Sequence, residues 1–200
     1  AKPRASDFLK AKQLGRYLSS NPTRGLYYHK RRSDDELLWT YAYCDASLYI
    51  HSVSGIAVFL GTPDYVTHIN LNAAIISQTK QEETKVGSTM HSELLAMGRA
   101  VVAVEWVANM REEWASLAGA GIIFSDSLNA IHFVTGTGST PSRQTRHLRM
   151  KLAYIRQAVD LGRVRFVFVP SHLNCADALT KALGRVLHQR HSDNLMGEPI

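Results

Sequence analysis

The spacing of apolar and polar positions divides the chain into short strand-like runs and longer helix-like stretches. Segment 6–19 sets Phe8, Leu9, Leu14, Tyr17 and Leu18 among lysines and predicts a helix, which Asn21-Pro22-Thr23-Arg24-Gly25 ends. A charged connector, Lys30–Glu36, leads to the aromatic strand Leu37–Cys44, closed by Asp45. Val53–Leu60 and a run within Tyr65–Ser77 predict two more strands, joined at Gly61-Thr62-Pro63-Asp64 as an antiparallel meander. From Ser88 to Leu117, Met90, Leu94, Met97, Val101, Val104 and Ala108 recur on one helical face, and Gly119–Gly121 stops that helix. Ile122-Ile123-Phe124 is a fourth strand ending at Ser125-Asp126, followed by a short helix, Leu128–Val134. A Gly/Thr/Ser loop, Thr135–Ser142, precedes a helix over 145–159. Val164–Val169 is a fifth strand closed by Pro170, and a last helix begins near Asn174. No internal repeat or low-complexity tract is present. This order predicts an α/β domain with a mixed five-stranded sheet and helices on its faces.

Composition narrows the class without naming a function. Hydrophobic residues make up 45% and charged residues 20% of 200, as in an ordinary folded chain. No apolar run approaches the roughly 20 residues of a membrane span, and no signal-peptide layout opens the chain. The absence of an initiator Met points to a fragment of something longer. Cys44 and Cys175 form no metal-ligand pattern, which suits a reducing compartment. Strand alternation also turns Cys44 away from Asp45. The net charge of +6 is uneven: residues 1–33 hold nine basic residues against Asp7, and residues 143–165 hold seven against Asp160. Such blocks suit a polyanion, with a solvated basic surface as the plainer alternative.

Three acids stand where acids need a reason. Asp45 and Asp126 each close a strand, and Glu93 interrupts the apolar stripe of the long helix. If the first and fourth strands are parallel neighbours, Asp45 and Asp126 leave one sheet edge together, within reach of Glu93. Asp177, at the start of the last helix, can join them. Singly, each has a duller explanation: Asp126 as a helix cap, Asn174 with Asp177 as a capping pair, Asp45 as a polar strand end, Glu93 paired with an Arg. Four carboxylates at one edge instead call for divalent cations, and oxygen-only ligation favours Mg²⁺ or Mn²⁺.

These residues resemble those of the ribonuclease H domain of copia-type LTR retrotransposon Pol polyproteins, over nearly the whole chain. Arg16-Tyr17-Leu18 with Asn21-Pro22 and Gly25-Leu26 resembles the segment that links reverse transcriptase to this domain. Tyr43-Cys44-Asp45-Ala46-Ser47 resembles the first strand of the family's site, and Ser54-Gly55 the opening of the second strand. Ser92-Glu93-Leu94-Leu95-Ala96 stands in place of the family's Ala-Glu-Tyr, and Phe124-Ser125-Asp126-Ser127-Leu128-Asn129-Ala130 resembles its fourth-strand motif. Thr145-Arg146-His147-Leu148 with Ile155-Arg156, then Val169-Pro170-Ser171 and Ala176-Asp177-Ala178-Leu179-Thr180-Lys181, form the most specific stretch.

The resemblance implies a ribonuclease H-like fold: three antiparallel strands, then two parallel ones, with helices on both faces. It implies an N-terminal helix and connector over 1–35, the domain proper over 36–187 and a polar tail over 188–200. It implies hydrolysis of the RNA strand of RNA/DNA hybrids during reverse transcription by a two-metal-ion mechanism. The metal-binding acids would be Asp45, bridging two Mg²⁺ ions (Mn²⁺ as substitute), Glu93 and Asp126 on one ion, and Asp177 on the other. His172 is either a loop histidine that helps product leave or a surface or capping residue. Arg143, Arg146, Arg149 and Arg156 are candidates for contact with nucleic acid; of these, Arg146, Arg149 and Arg156 share a helix face that either tracks phosphates or is merely solvated. The partners implied are the hybrid and the reverse transcriptase domain of the same polyprotein, with no membrane. The setting implied is intracellular, in cytoplasmic virus-like particles, with the nucleus as the alternative. Two rival readings remain: a non-catalytic module of this fold that binds nucleic acid or protein, and a structure-specific DNA nuclease of the same superfamily.

Overall fold

A computed structural model of the chain describes residues 4–29, 38–48, 51–82, 86–115, 119–136 and 149–198. The elements are α1 (Ala5–Ser20), β1 (Trp39–Leu48), β2 (Ser52–Gly61), β3 (Ile76–Gln81), α2 (Thr89–Ala115), β4 (Gly121–Ser125), α3 (Leu128–Val134), α4 (Arg149–Asp160), β5 (Val164–Phe168) and α5 (Arg185–Met196). One sheet runs in the order β3-β2-β1-β4-β5. The pairs β1–β2 and β2–β3 are antiparallel, while β1–β4 and β4–β5 are parallel. This is the mixed α/β sheet expected from the strand order.

Strand alternation divides the core in two. Ala42, Cys44, Ile56, Val58 and Ile123 face α2 and α4, packing on Leu94, Met97, Val101, Val104 and Ile155. Tyr41, Tyr43, Phe59, Ile122 and Phe124 face the other way, onto Val169, Cys175 and Ala176. Their rings stack, Tyr43 on Phe124 at 4.9 Å and Tyr41 on Phe59 at 5.3 Å between centroids. Gly121 allows α2 to lie close against β4, since a Cβ there would fall 2.1 Å from Val104 Cγ1. Arg111, buried near the far end of α2, donates to the carbonyls of Leu38 and Gly119 and ties the helix to the entries of β1 and β4.

Four boundaries differ from the sequence reading. Asp45 does not end β1; it lies within it, opposite Gly55, because pairing with β2 continues to Leu48↔Ser52. The third strand is not within Tyr65–Ser77 but at Ile76–Gln81. Residues 62–75 are a long connection in which Asp64 accepts the backbone N–H groups of Val66 and Thr67, closing a local turn. The helix that Asn174 caps is a five-residue 3₁₀ helix, not the final α-helix expected there. Two 3₁₀ turns, Ser171–Leu173 and Cys175–Leu179, take that place before α5. Residues 188–200, read as a polar tail, supply most of α5, with His191 and Asn194 buried. Hydropathy misses that helix because its packed face carries polar groups: Asn194 donates to the His68 carbonyl at 2.7 Å. The N-terminal connector reaches the same place. Arg24 pairs with Asp193 and Glu198, and Tyr27 N–H donates to the Met196 carbonyl at 2.9 Å. Gly197, at φ 66, closes α5 where a Cβ would fall 2.4 Å from Ala73 N. α1 itself buries none of its residues.

Candidate metal centre

Each of the four acids is brought to the site by a different local device. Asp45 is carried by the central strand β1 and is 1% exposed. Asp126 follows the last residue of β4, the parallel neighbour of β1, so both side chains leave the same end of the sheet. Ser127, not Asp126, caps α3 by accepting the Ala130 N–H. That leaves the Asp126 carboxylate outside the helix, where Ser171 Oγ donates to it at 2.6 Å. Asp177 sits in the second 3₁₀ turn. Asn174 caps that turn through Ala176 N–H and anchors it to β1 by donating to the Cys44 carbonyl at 3.1 Å. Asn174 is therefore a cap, and capping leaves Asp177 free for the cluster.

Gly55 is what lets the turn settle on the sheet. A Cβ there would lie 2.8 Å from Leu179 Cβ and from Thr180 Cγ2, and 3.1 Å from the Ala176 carbonyl. Any side chain at this position would push Asp177 away from Asp45. Carboxylate oxygens of Asp45, Asp126 and Asp177 consequently lie within 4.8 Å of one another.

Glu93 comes from the first turns of α2. That end of the helix is held by the Ser88 hydroxyl, which accepts the His91 N–H at 3.2 Å, and by Ser52 Oγ donating to Ser92 Oγ at 3.0 Å. Glu93 is 6% exposed, and its Oε2 is buried without a hydrogen-bond partner. It stands outside the tight three-carboxylate set, yet burial and then repulsion from Asp45 and Asp126 push its carboxyl up to about 8. Burial and Asp45 raise Asp177 to about 6, and burial raises Asp45 as well. Three raised carboxyls and one orphaned buried oxygen mark a site short of positive charge. All-oxygen donors with this deficit fit hard divalent cations.

Lys181 and Thr180 also enter the cluster, although the sequence reading assigned them no role. Lys181 Nζ lies 3.1 Å from Asp45 Oδ1 and 3.0 Å from Asp177 Oδ1, and Thr180 Oγ1 donates to Asp45 Oδ2. The i,i+4 spacing of Asp177 and Lys181 was a visible signal; the link to Asp45 needed the fold.

The remaining candidates occupy other positions or lie outside the described residues. His172 is exposed in the first 3₁₀ turn, beside Ser171. Arg149 is exposed at the start of α4. Arg156 does not share that exposure. It donates to the Phe133 carbonyl at 2.7 Å and lies 5.5 Å from the Phe133 ring centroid, so its guanidinium joins α4 to α3. Arg143, Arg146 and His147 lie outside the described residues. Cys44 and Cys175 are buried, free, and in opposite halves of the core. Among the described residues no helix is long and apolar enough to cross a membrane.

Known proteins extend the comparison. No protein-family model matches the chain. It is 25% identical over 182 residues to the retrovirus-related Pol polyprotein from transposon RE2 of Arabidopsis thaliana, covering 90% of this chain and 12% of that protein. To the corresponding polyprotein from transposon RE1 it is 24% identical over 191 residues, covering 92% of this chain and 12% of the relative. The chain thus spans a small part of the curated relatives that it matches. Among solved structures it is similar to the N-terminal ribonuclease H domain of a Mycobacterium tuberculosis protein, with a TM-score of 0.53 and 11% identity, over 76% of this chain and 98% of that one. LC11 ribonuclease H1 from compost aligns with a TM-score of 0.52 and 14% identity, over 72% and 93%. The fold is that of ribonuclease H. In sequence the chain is similar to a segment of retrotransposon Pol polyproteins, as its motifs led one to expect.

Proposed function

We propose that the chain is the ribonuclease H segment of an LTR retrotransposon Pol polyprotein, a metal-dependent endonuclease that cuts the RNA strand of RNA/DNA hybrids during reverse transcription. One observation carries this reading: acids far apart in sequence converge until oxygens of Asp45, Asp126 and Asp177 lie within 4.8 Å, beside the unpartnered buried oxygen of Glu93. Two Mg²⁺ ions, with Mn²⁺ as substitute, would supply there a polarised attacking water and charge stabilisation at the leaving 3′ oxygen.

The chain's own groups hold and orient. Asp45, in the central strand, would be the shared ligand, with Glu93 and Asp126 holding one ion and Asp177 the other. Ser171 fixes the Asp126 carboxylate, and Thr180 fixes that of Asp45. In this reading His172, exposed beside Ser171, would help product leave, and the exposed Arg149 would contact a phosphate. Discrimination for the RNA strand would rest on groove shape and 2′-hydroxyl contacts, not base reading. In this reading the chain works beside the reverse transcriptase domain of its polyprotein, inside cytoplasmic particles.

The test is cleavage of matched hybrid, duplex RNA and duplex DNA in Mg²⁺ and then Mn²⁺, by the parent and by Asp45→Asn. The expected result is cutting of the hybrid's RNA strand alone, abolished in the variant while circular dichroism and hybrid binding persist. Binding without cutting in either metal would favour a non-catalytic module, cutting of duplex DNA would favour a structure-specific nuclease, and an active variant would overturn the site.

A further inference from the structure

The acid cluster already contains one cation, supplied by the chain itself. The Lys181 ammonium bridges Asp45 Oδ1 and Asp177 Oδ1 at 3.1 and 3.0 Å, and both carboxylates are buried. These two acids belong to the set whose oxygens lie within 4.8 Å of one another. The lysine stem reaches in from the residue after Thr180, which Gly55 allows to lie directly on the sheet. A side chain with four rotatable bonds that is 36% exposed has solvent to swing into.

We infer that Lys181 is the resident counter-cation of the metal site: it holds Asp45 and Asp177 together in the metal-free protein and competes with the divalent ion for their oxygens. The inference rests on the metal-centre reading and adds a control on it. Without Lys181, buried carboxylates would repel one another at close range with nothing between them, at a cost to the metal-free fold. With it, an entering ion must first displace the ammonium from the oxygens it is to bind. Lys181 is thus a positioning residue that trades metal affinity for a preformed, correctly spaced site.

Two opposite effects of one substitution test this. Lys181→Met keeps the length of the stem and removes the charge. In EDTA its melting temperature should fall below that of the parent, while its Mn²⁺ dissociation constant by calorimetry should tighten roughly tenfold, because the competing charge is gone. Lys181→Arg should keep the parent's Mn²⁺ affinity to within about threefold. An ordinary structural ion pair would lower the melting temperature equally with and without metal, leaving affinity unchanged or weaker; that outcome overturns the inference. Asp45→Asn separates the two failures. If the parent binds Mn²⁺ and Asp45→Asn does not, the metal centre stands, and an unchanged affinity in Lys181→Met sinks only the role given to Lys181. If parent and Asp45→Asn bind equally or not at all, the metal-centre reading fails, and this inference with it.

Discussion

Glu93→Gln offers a quantitative probe of the metal centre, because it removes a charge while keeping nearly the same shape. In the folded, metal-free protein the Glu93 carboxyl holds its proton up to about 8, against 4.5 as the ordinary value, through burial and then its acidic neighbours. Between those values the unfolded chain binds fewer protons than the folded one, so the stability of the parent falls as pH rises through this window. At about 1.36 kcal/mol per tenfold in proton affinity, the full loss is on the order of 4–5 kcal/mol, and roughly half of that after local relaxation and water entry. The Gln side chain takes no part in this titration. Urea unfolding in EDTA, followed by far-UV circular dichroism at pH 5 and pH 8.5, should therefore give a parent–variant difference that depends on pH. At pH 5 the two should lie within about 1 kcal/mol; at pH 8.5 the variant should be more stable by about 2–2.5 kcal/mol, or roughly 4–10 °C in Tm. Asp177, raised to about 6, titrates in both proteins and gives each a further pH dependence below pH 8.5. A gap equal at both pH values, or a parent that gains stability on going to pH 8.5, would refute the burial and repulsion assigned to Glu93.

Further outcomes follow from other parts of the structure. Gly55→Ala puts a Cβ 2.8 Å from Leu179 Cβ and Thr180 Cγ2; the 3₁₀ turn must lift, so hybrid cleavage should fall more than about tenfold at a stability cost of roughly 1–3 kcal/mol. Activity equal to the parent's would show that the close approach is unnecessary. His191 is buried with both ring nitrogens unpartnered, and burial, then Arg190 and His188, lower it to about 4. The folded state favours the neutral ring, so the parent should lose stability as pH falls from 6.5 towards 4, and His191→Leu should flatten that limb in urea unfolding at pH 4.5 and 7. Equal slopes for parent and variant would count against it. Arg24→Ala strips Asp193 and Glu198 of their shared partner and should cost about 1–3 kcal/mol, read as a lower urea midpoint.

Local pattern was enough to identify four of the five strands, the long helix α2 and the short helix α3. Strand formers and helical periodicity act over a few residues and do not depend on distant partners. The four acids were legible for a related reason: a carboxylate interrupting an apolar stripe or following a buried strand is costly anywhere, so its presence alone calls for an explanation. Pattern failed where long-range pairing decided the outcome. A run within Tyr65–Ser77 reads as a strand, but β2 pairs instead with Ile76–Gln81, and Asp64 folds the residues just after it into a turn. Residues 188–196 carry too little apolar signal to read as packed, and only docking against residues 24–29 and 68–74 buries His191 and Asn194 on one face of their helix. Lys181 is a surface lysine by every local rule. It becomes part of the metal centre because Gly55 lets a remote turn lie on β1, bringing a charge from the end of the chain to an acid near its beginning. Which residues are costly to bury is a property of their chemistry and can be read one position at a time; which of them meet is decided by the sheet, since only pairing and close packing bring positions 45, 126 and 177 within a few ångströms.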